Sequence, residues 1–250
     1  MMRVLKIGGN ELDDPGFLPL LARWVAGVTA VGEQIIVVHG GGHDIAMMQT
    51  QLGLEPKKVD GLRVTDADSL MVAQMVLSGH TNKQIVATLL AAGVDAVGLS
   101  GVDGGLLRCQ KKQHPTVDLG LVGEIVAVRT DLLRRLAEMG LTAVISPISL
   151  GQDGRTYNVN ADDAASAIAQ ALPAEQLDFI SNVPGVLQDG QVLPRLTAVQ
   201  TEQLITQGII NGGMVPKVRG ALTAVSQGVP QTRIVNLTGL LNGGGTVFLP

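Results

Sequence analysis

Lys6 lies within an apolar run, Val4-Leu5-Lys6-Ile7, one residue before Gly8-Gly9. An ammonium group in such a strand is poorly placed for a solvated surface. The glycines that follow let main-chain N–H groups approach a ligand that a Cβ would hold off. Two further β-branched runs end in the same way, residues 34–39 at Gly40-Gly41-Gly42 and residues 94–99 at Ser100-Gly101. A single glycine turn serves any sharp strand-to-helix reversal equally well. Three at strand ends together point to an anion cradled by backbone N–H donors. A second lysine, Lys217, follows Gly212-Gly213-Met214 at an expected helix start, a place suited to phosphate, with a solvated surface charge as the ordinary alternative. Two lysines and glycine-loop donors would serve phosphoryl transfer, which needs positioning and charge neutralisation more than proton transfer.

Other chemistries find no support. The lone Cys109 excludes an intramolecular disulfide and a multi-cysteine metal site. His39 and His43 are four apart, but the intervening glycines break any shared helix face, and His80 and His114 are isolated, so no metal ligand is expected. The glycines fit neither GxxxxGK[ST] nor GxGxxG after the first strand, and there is no GxSxG elbow or protein-kinase signature.

Elements must hold these residues in place. Continuous apolar runs at 4–7, 34–39, 94–99, 142–145, 178–181, 233–235 and 246–249 read as strands buried on both faces. Between them, helical periodicity marks 66–92, with a break at Ser78-Gly79-His80, and then 132–139, 163–172, 201–207 and 215–226. Thr130-Asp131 reads as one cap and Asn160 or Asp162 as another. Residues 186–192 read as a hairpin about Asp189-Gly190, and 120–128 as a further extended segment. The alternation predicts an α/β fold, a three-layer αβα sandwich with a mainly parallel central sheet. Ligands then bind at the carboxyl edge of the strands. With 250 residues, five of them aromatic, and a net charge of −4, the composition argues against stacking on nucleic acid and against a phosphate-backbone footprint. No window reaches the apolar length of a membrane span, and a cytoplasmic protein is expected.

Six segments occur in order: Lys6-Ile7-Gly8-Gly9, Val38-His39-Gly40-Gly41-Gly42, Gly61-Leu62-Arg63-Val64-Thr65, Asn158-Val159-Asn160-Ala161-Asp162, Ser181-Asn182-Val183-Pro184-Gly185-Val186 and Gly213-Met214-Val215-Pro216-Lys217-Val218. Together they resemble the amino-acid kinase superfamily across essentially the whole chain. The segments at 61–65 and 158–162 resemble its acetylglutamate branch, although Asn182 stands where an aspartate is more usual. The resemblance implies phosphorylation of the side-chain carboxylate of N-acetyl-L-glutamate by MgATP, in arginine biosynthesis, with Mg2+ held mainly through the phosphates. It implies Lys6 and Lys217 as the phosphoryl-stabilising pair, with Asp162 holding both ammonium groups; Asp162 as a helix cap is the bland alternative. Gly41, Gly42, Arg63, Asn158 and Asn160 would bind the amino-acid substrate, with Arg63 on its α-carboxylate. Gly8, Gly9, the six residues from Ser181 to Val186, and Ile209, Ile210 and Asn211 would bind nucleotide.

The same resemblance divides the chain into a substrate-binding and dimerising lobe, 1–173, and an ATP-binding lobe, 174–250. A homodimer through the first lobe is expected. A kinase for carrier-protein-linked aminoadipate and a non-catalytic sensor of the same fold are the alternatives; both lysines being present argues against the second. In the family it resembles, feedback by arginine goes with an N-terminal helix. Because only Met1 to Arg3 precede the first strand, no such helix is expected, and the resemblance then implies insensitivity to L-arginine.

Overall fold

The computed structural model describes residues 1–172 and 174–250. Successive side chains of a strand point to opposite faces, and in the central strands both sets are apolar. Val4, Ile36, Val38, Ile145 and Phe179 are buried in one core, and Leu5, Ile7, Val37, Val144 and Ile180 in the other. Helices Ala161–Ala171 and Met214–Ser226 pack into the first core, Phe17–Ala30 and Asn82–Ala91 into the second. The three-layer sandwich follows from this double-sided burial, as the sequence predicts.

Between those layers runs an eight-stranded sheet, in the order Arg195–Thr197, Thr246–Leu249, Thr232–Val235, Gln176–Ile180, Met2–Ile7, Gln34–His39, Thr142–Ser146 and Ala96–Ser100. Every pairing is parallel except that of Thr232–Val235 with Thr246–Leu249. The 1–173/174–250 division falls at Pro173, which lies outside the described residues. Met2–Ile7 pairs with Gln176–Ile180, so both halves share one sheet. No described helix is long and apolar enough to cross a membrane.

Several local readings need correction. The extended segment at 120–128 begins as a strand only at Gly123 and belongs to a second sheet, Thr156–Asn158, Ile148–Gly151, Leu107–Lys111 and Gly123–Val128, which the sequence reading did not foresee. Thr130 already belongs to its helix, Thr130–Glu138, whose N-cap is Arg129 without a side-chain bond. Helix Ala198–Thr206 starts three residues earlier than read, because Thr197 and Gln200 form a reciprocal capping box. The break at Ser78-Gly79-His80 is a widened turn: Ala67–Gln74 is α-helical, Met75–Thr81 π-helical and Asn82–Ala91 α-helical again. The hairpin about Asp189-Gly190 is present, both residues having positive φ, as a type I′ turn requires.

Candidate active site

Parallel strands deliver their carboxyl ends to one edge. Ile7 runs into Gly8-Gly9, His39 into Gly40-Gly41-Gly42, and Ile180 into Ser181. A cavity of about 210 Å³ opens there, and Lys6, Gly8, Gly9, Gly41, Gly42, Arg63, Asn158, Asn160 and Asp162 all line it. A smaller cavity of about 70 Å³ is lined by Lys6 and Asp162 again, now with Ser181, Pro216 and Lys217. Lys6 and Asp162 therefore stand at the junction of the two.

The glycine turns abut backbone to backbone. A Cβ on Gly9 would lie 2.9 Å from Gly42 N, so any larger residue would push the two turns apart. Behind them, Asp13 Oδ1 and His43 Nδ1 are 3.1 Å apart and tie the segments together. Gly41 is the N-cap of helix Gly42–Gln51, and its N–H has no acceptor among the described residues. Free donors at a helix start carry partial positive charge, which suits an anion.

The cations are held differently from one another. Lys6 Nζ is 2.9 Å from Asp162 Oδ1. Asn160 accepts from the Asp162 N–H at 2.7 Å as the N-cap of Ala161–Ala171, which leaves the Asp162 carboxylate in the first turn to meet Lys6. Lys217 Nζ donates to Ser181 Oγ at 2.6 Å. Asp162 thus pairs with one ammonium group, and Ser181 positions the other.

Arg63 belongs to Leu62–Arg63, which pairs with Lys58–Val59 in a hairpin whose tip, Asp60-Gly61, has φ of 49° and 80°. Its side chain is buried, donating to Gln49 Oε1 and, at 2.7 Å, to the Gly42 carbonyl. Gln49 in turn donates to Ser69 Oγ at 2.8 Å. No described carboxylate bridges Arg63, and burial lowers the guanidinium's pKa. A charge surrounded by neutral acceptors is matched to an anion from solution. Asn158, at the end of Thr156–Asn158, donates to Thr65 Oγ1 at 3.3 Å beside the same cavity.

Ile209, Ile210 and Asn211 line neither cavity: Ile210 is buried, and Asn211 donates to the Gly208 carbonyl at 2.8 Å. Along the loop after Ile180, Ser181 reaches the smaller cavity, Asn182 is exposed, and Val183 and Pro184 are half-buried. Gly185 and Val186 are buried, and the Val186 N–H donates to Thr246 Oγ1 at 2.8 Å. Sequence reasoning missed Lys58 and Leu77 in the cavity wall and Gln49 behind Arg63. A second lysine beside the 61–65 segment was the available signal for Lys58; Gln49 had none.

The arrangement can hold two anions, one across the glycine turns and lysines and one at the arginine hairpin. A family model described as "Amino acid kinase family" matches residues 1–236. The chain is 52% identical to an acetylglutamate kinase of Roseiflexus sp. (strain RS-1), over 98% of this chain and 92% of that one. It is 43% identical to an acetylglutamate kinase of Methanopyrus kandleri, over 98% and 99%. Among solved structures, smu.665 from Streptococcus mutans superposes with a TM-score of 0.82 at 28% identity, over 99% and 98%. Giardia carbamate kinase shares the fold, with a TM-score of 0.70 at 14% identity over 99% and 98%. Sequence and fold agree: the chain belongs to the amino acid kinase family.

Proposed function

We propose that the chain transfers the γ-phosphoryl group of ATP to the side-chain carboxylate of N-acetyl-L-glutamate, giving N-acetyl-L-glutamyl 5-phosphate and ADP, in arginine biosynthesis. The observation that carries this reading is the buried Arg63, held by neutral acceptors in the same cavity as Lys6 and the glycine turns. The acetylglutamate kinases at 43–52% identity support it.

The acceptor carboxylate is ionised at neutral pH and needs no base. The obstacle is bringing it against a polyanion. Arg63 takes the α-carboxylate and Asn158 and Asn160 orient the rest, so the side-chain carboxylate faces the γ-phosphorus. Lys6 and Lys217 neutralise charge on the transferring group while the N–H groups of the glycine turns receive its oxygens. Asp162 keeps the Lys6 ammonium in place. It is already committed to that lysine, so Mg2+ enters with the ATP phosphates as part of the substrate.

In this reading residues 1–173 bind the amino acid and residues 174–250 the nucleotide, through Ser181 to Val186 and Ile209 to Asn211. The protein works in the cytoplasm as a homodimer joined through the first half, where Met71 and Met75, four residues apart, are both half-exposed. ATP consumption measured in parallel with N-acetylglutamate, glutamate, aspartate and aminoadipate tests the assignment. Turnover is expected with N-acetylglutamate; a preference for any other acid overturns it.

A further inference from the structure

His39 ends the Gln34–His39 strand and is wholly buried, yet both ring nitrogens face polar groups. Nδ1 lies 3.0 Å from the Gly40 carbonyl oxygen and Nε2 lies 3.2 Å from Asn82 Nδ2. A carbonyl only accepts, so the proton sits on Nδ1, and Nε2 accepts from the Asn82 amide. That amide also donates to the Val144 carbonyl at 2.9 Å, in the heart of the sheet. Burial pushes the imidazole pKa down to about 4, against the Gly40 hydrogen bond and with help from the Lys83 charge, so the ring is neutral at pH 7.

Three consecutive glycines have more freedom than any other tripeptide and need an external brace to hold one geometry. The Gly40 carbonyl and the Gly41 N–H belong to a single planar trans peptide, in which they point in opposite directions. Fixing the carbonyl therefore fixes the N–H. Gly41 lines the larger cavity, and its N–H has no acceptor among the described residues.

We propose that His39 is a positioning residue for phosphoryl transfer: by holding the Gly40 carbonyl it keeps the Gly41 N–H aimed at the anion in the cavity. His39 touches no substrate itself. The inference rests on the reading of this cavity as the phosphoryl site.

Two amide replacements separate the two ring nitrogens. In His39→Asn the side-chain N–H can replace Nδ1 as donor to Gly40, whereas His39→Gln places its amide nearer Nε2 and leaves that carbonyl unheld. His39→Gln is expected to lose kcat at least about tenfold with both KM values within about twofold, the pattern of a contact made in the transition state. His39→Asn should keep kcat within about threefold of the wild type. Equal losses in both variants, or full kcat in His39→Gln, overturn the proposal. Wild-type turnover in the same assay separates the two readings: an inactive wild type overturns the reaction and this role with it, whereas an active wild type with indistinguishable variants overturns only the role of His39. Should His39→Gln fail to fold, NMR of the wild type with isotope-labelled histidine decides. A proton on Nδ1 is expected, and a proton on Nε2 overturns the proposal.

Discussion

Arg233 and Arg63 are buried to the same degree, each 7% exposed, and are answered in opposite ways. Arg233 lies in Thr232–Val235 in register with Asp178 on the neighbouring strand. Its guanidinium forks onto that carboxylate, Nε to Oδ1 at 2.7 Å and Nη2 to Oδ2 at 3.0 Å. Arg3 Nη1 stands 3.7 Å from Asp178 Oδ2, and Arg3 Nη2 stands 3.3 Å from Glu33. Charge is closed within the protein there. Among the described residues Arg63 has only the Gln49 and Gly42 oxygens, and a desolvated charge without a counter-ion costs stability. The first arginine fastens two strands together. The second meets only neutral oxygens among the described residues, which is what the proposed carboxylate clamp requires. A buried cation in this fold is therefore read by what faces it, and burial alone does not decide its role.

The largest effect that would test this contrast is Arg233→Ala, which leaves Asp178 buried beside the weaker Arg3 contact. It should cost about 3–5 kcal/mol and lower Tm by roughly 10 °C, with kcat per folded molecule unchanged. A melting curve that superposes on the wild type would remove the structural half of the contrast. Acid should act next, through His39. Its pKa is about 4 in the folded chain and 6.5 for a free side chain, so the unfolded chain takes up the proton first as pH falls. Its contribution is complete above about pH 6.5 and is lost on the way down to about pH 4, a change of about 3 kcal/mol. Denaturant midpoints across that range should decline less steeply in His39→Asn; parallel declines would assign the loss to other groups.

Lys6→Ala and Lys217→Ala should each reduce kcat by roughly a hundredfold or more, the scale for a preorganised electrostatic contact, while Tm moves far less than in Arg233→Ala. Steady-state kinetics beside a thermal melt would show it, and near-normal turnover in either variant would place the reacting group elsewhere. The smallest expected change is Arg63→Lys, which keeps the charge but loses the fork. KM for the acetylated amino acid should rise about tenfold while KM for ATP stays put. If both constants rise together, the hairpin is not the amino-acid clamp.

Seven of the eight strands of the central sheet were legible because buried strands are written as unbroken apolar runs, and Gln34–His39 and Thr246–Leu249 have the bounds read from sequence. The three-residue edge strand Arg195–Thr197, with one buried side chain, was not. Nor was the second sheet. Leu107–Lys111 is half-exposed with mixed residues, and Ile148–Gly151 begins two residues after Thr142–Ser146, with only Pro147 between to mark a change of sheet. The same limit applies at the site. Lys6 and the glycine turns announce themselves locally, as a charge in an apolar strand and a loss of side chains at its end. Gln49 behind Arg63 and Asn82 against His39 meet only through packing, across 14 and 43 residues of chain. Nothing in their immediate neighbourhoods distinguishes them from ordinary polar residues.

The π-helical turn Met75–Thr81 closes its hydrogen bonds one residue later than the α-helices on either side. Counting on from buried Ala73 and Leu77, an unbroken α-helix would bring its next inward positions near 84 and 88. They fall at Ile85 and Leu89, one place late. A π-turn of this kind accommodates one extra residue without turning either helical face away from the interior. Loss of a codon there would leave the architecture standing. It would remove the swelling that brings Leu77 against Gly41 and Ser78 Oγ within 2.7 Å of Ser146 Oγ. Lineages sharing this architecture can therefore diverge in the wall of the cavity by a change in length that the rest of the molecule barely registers.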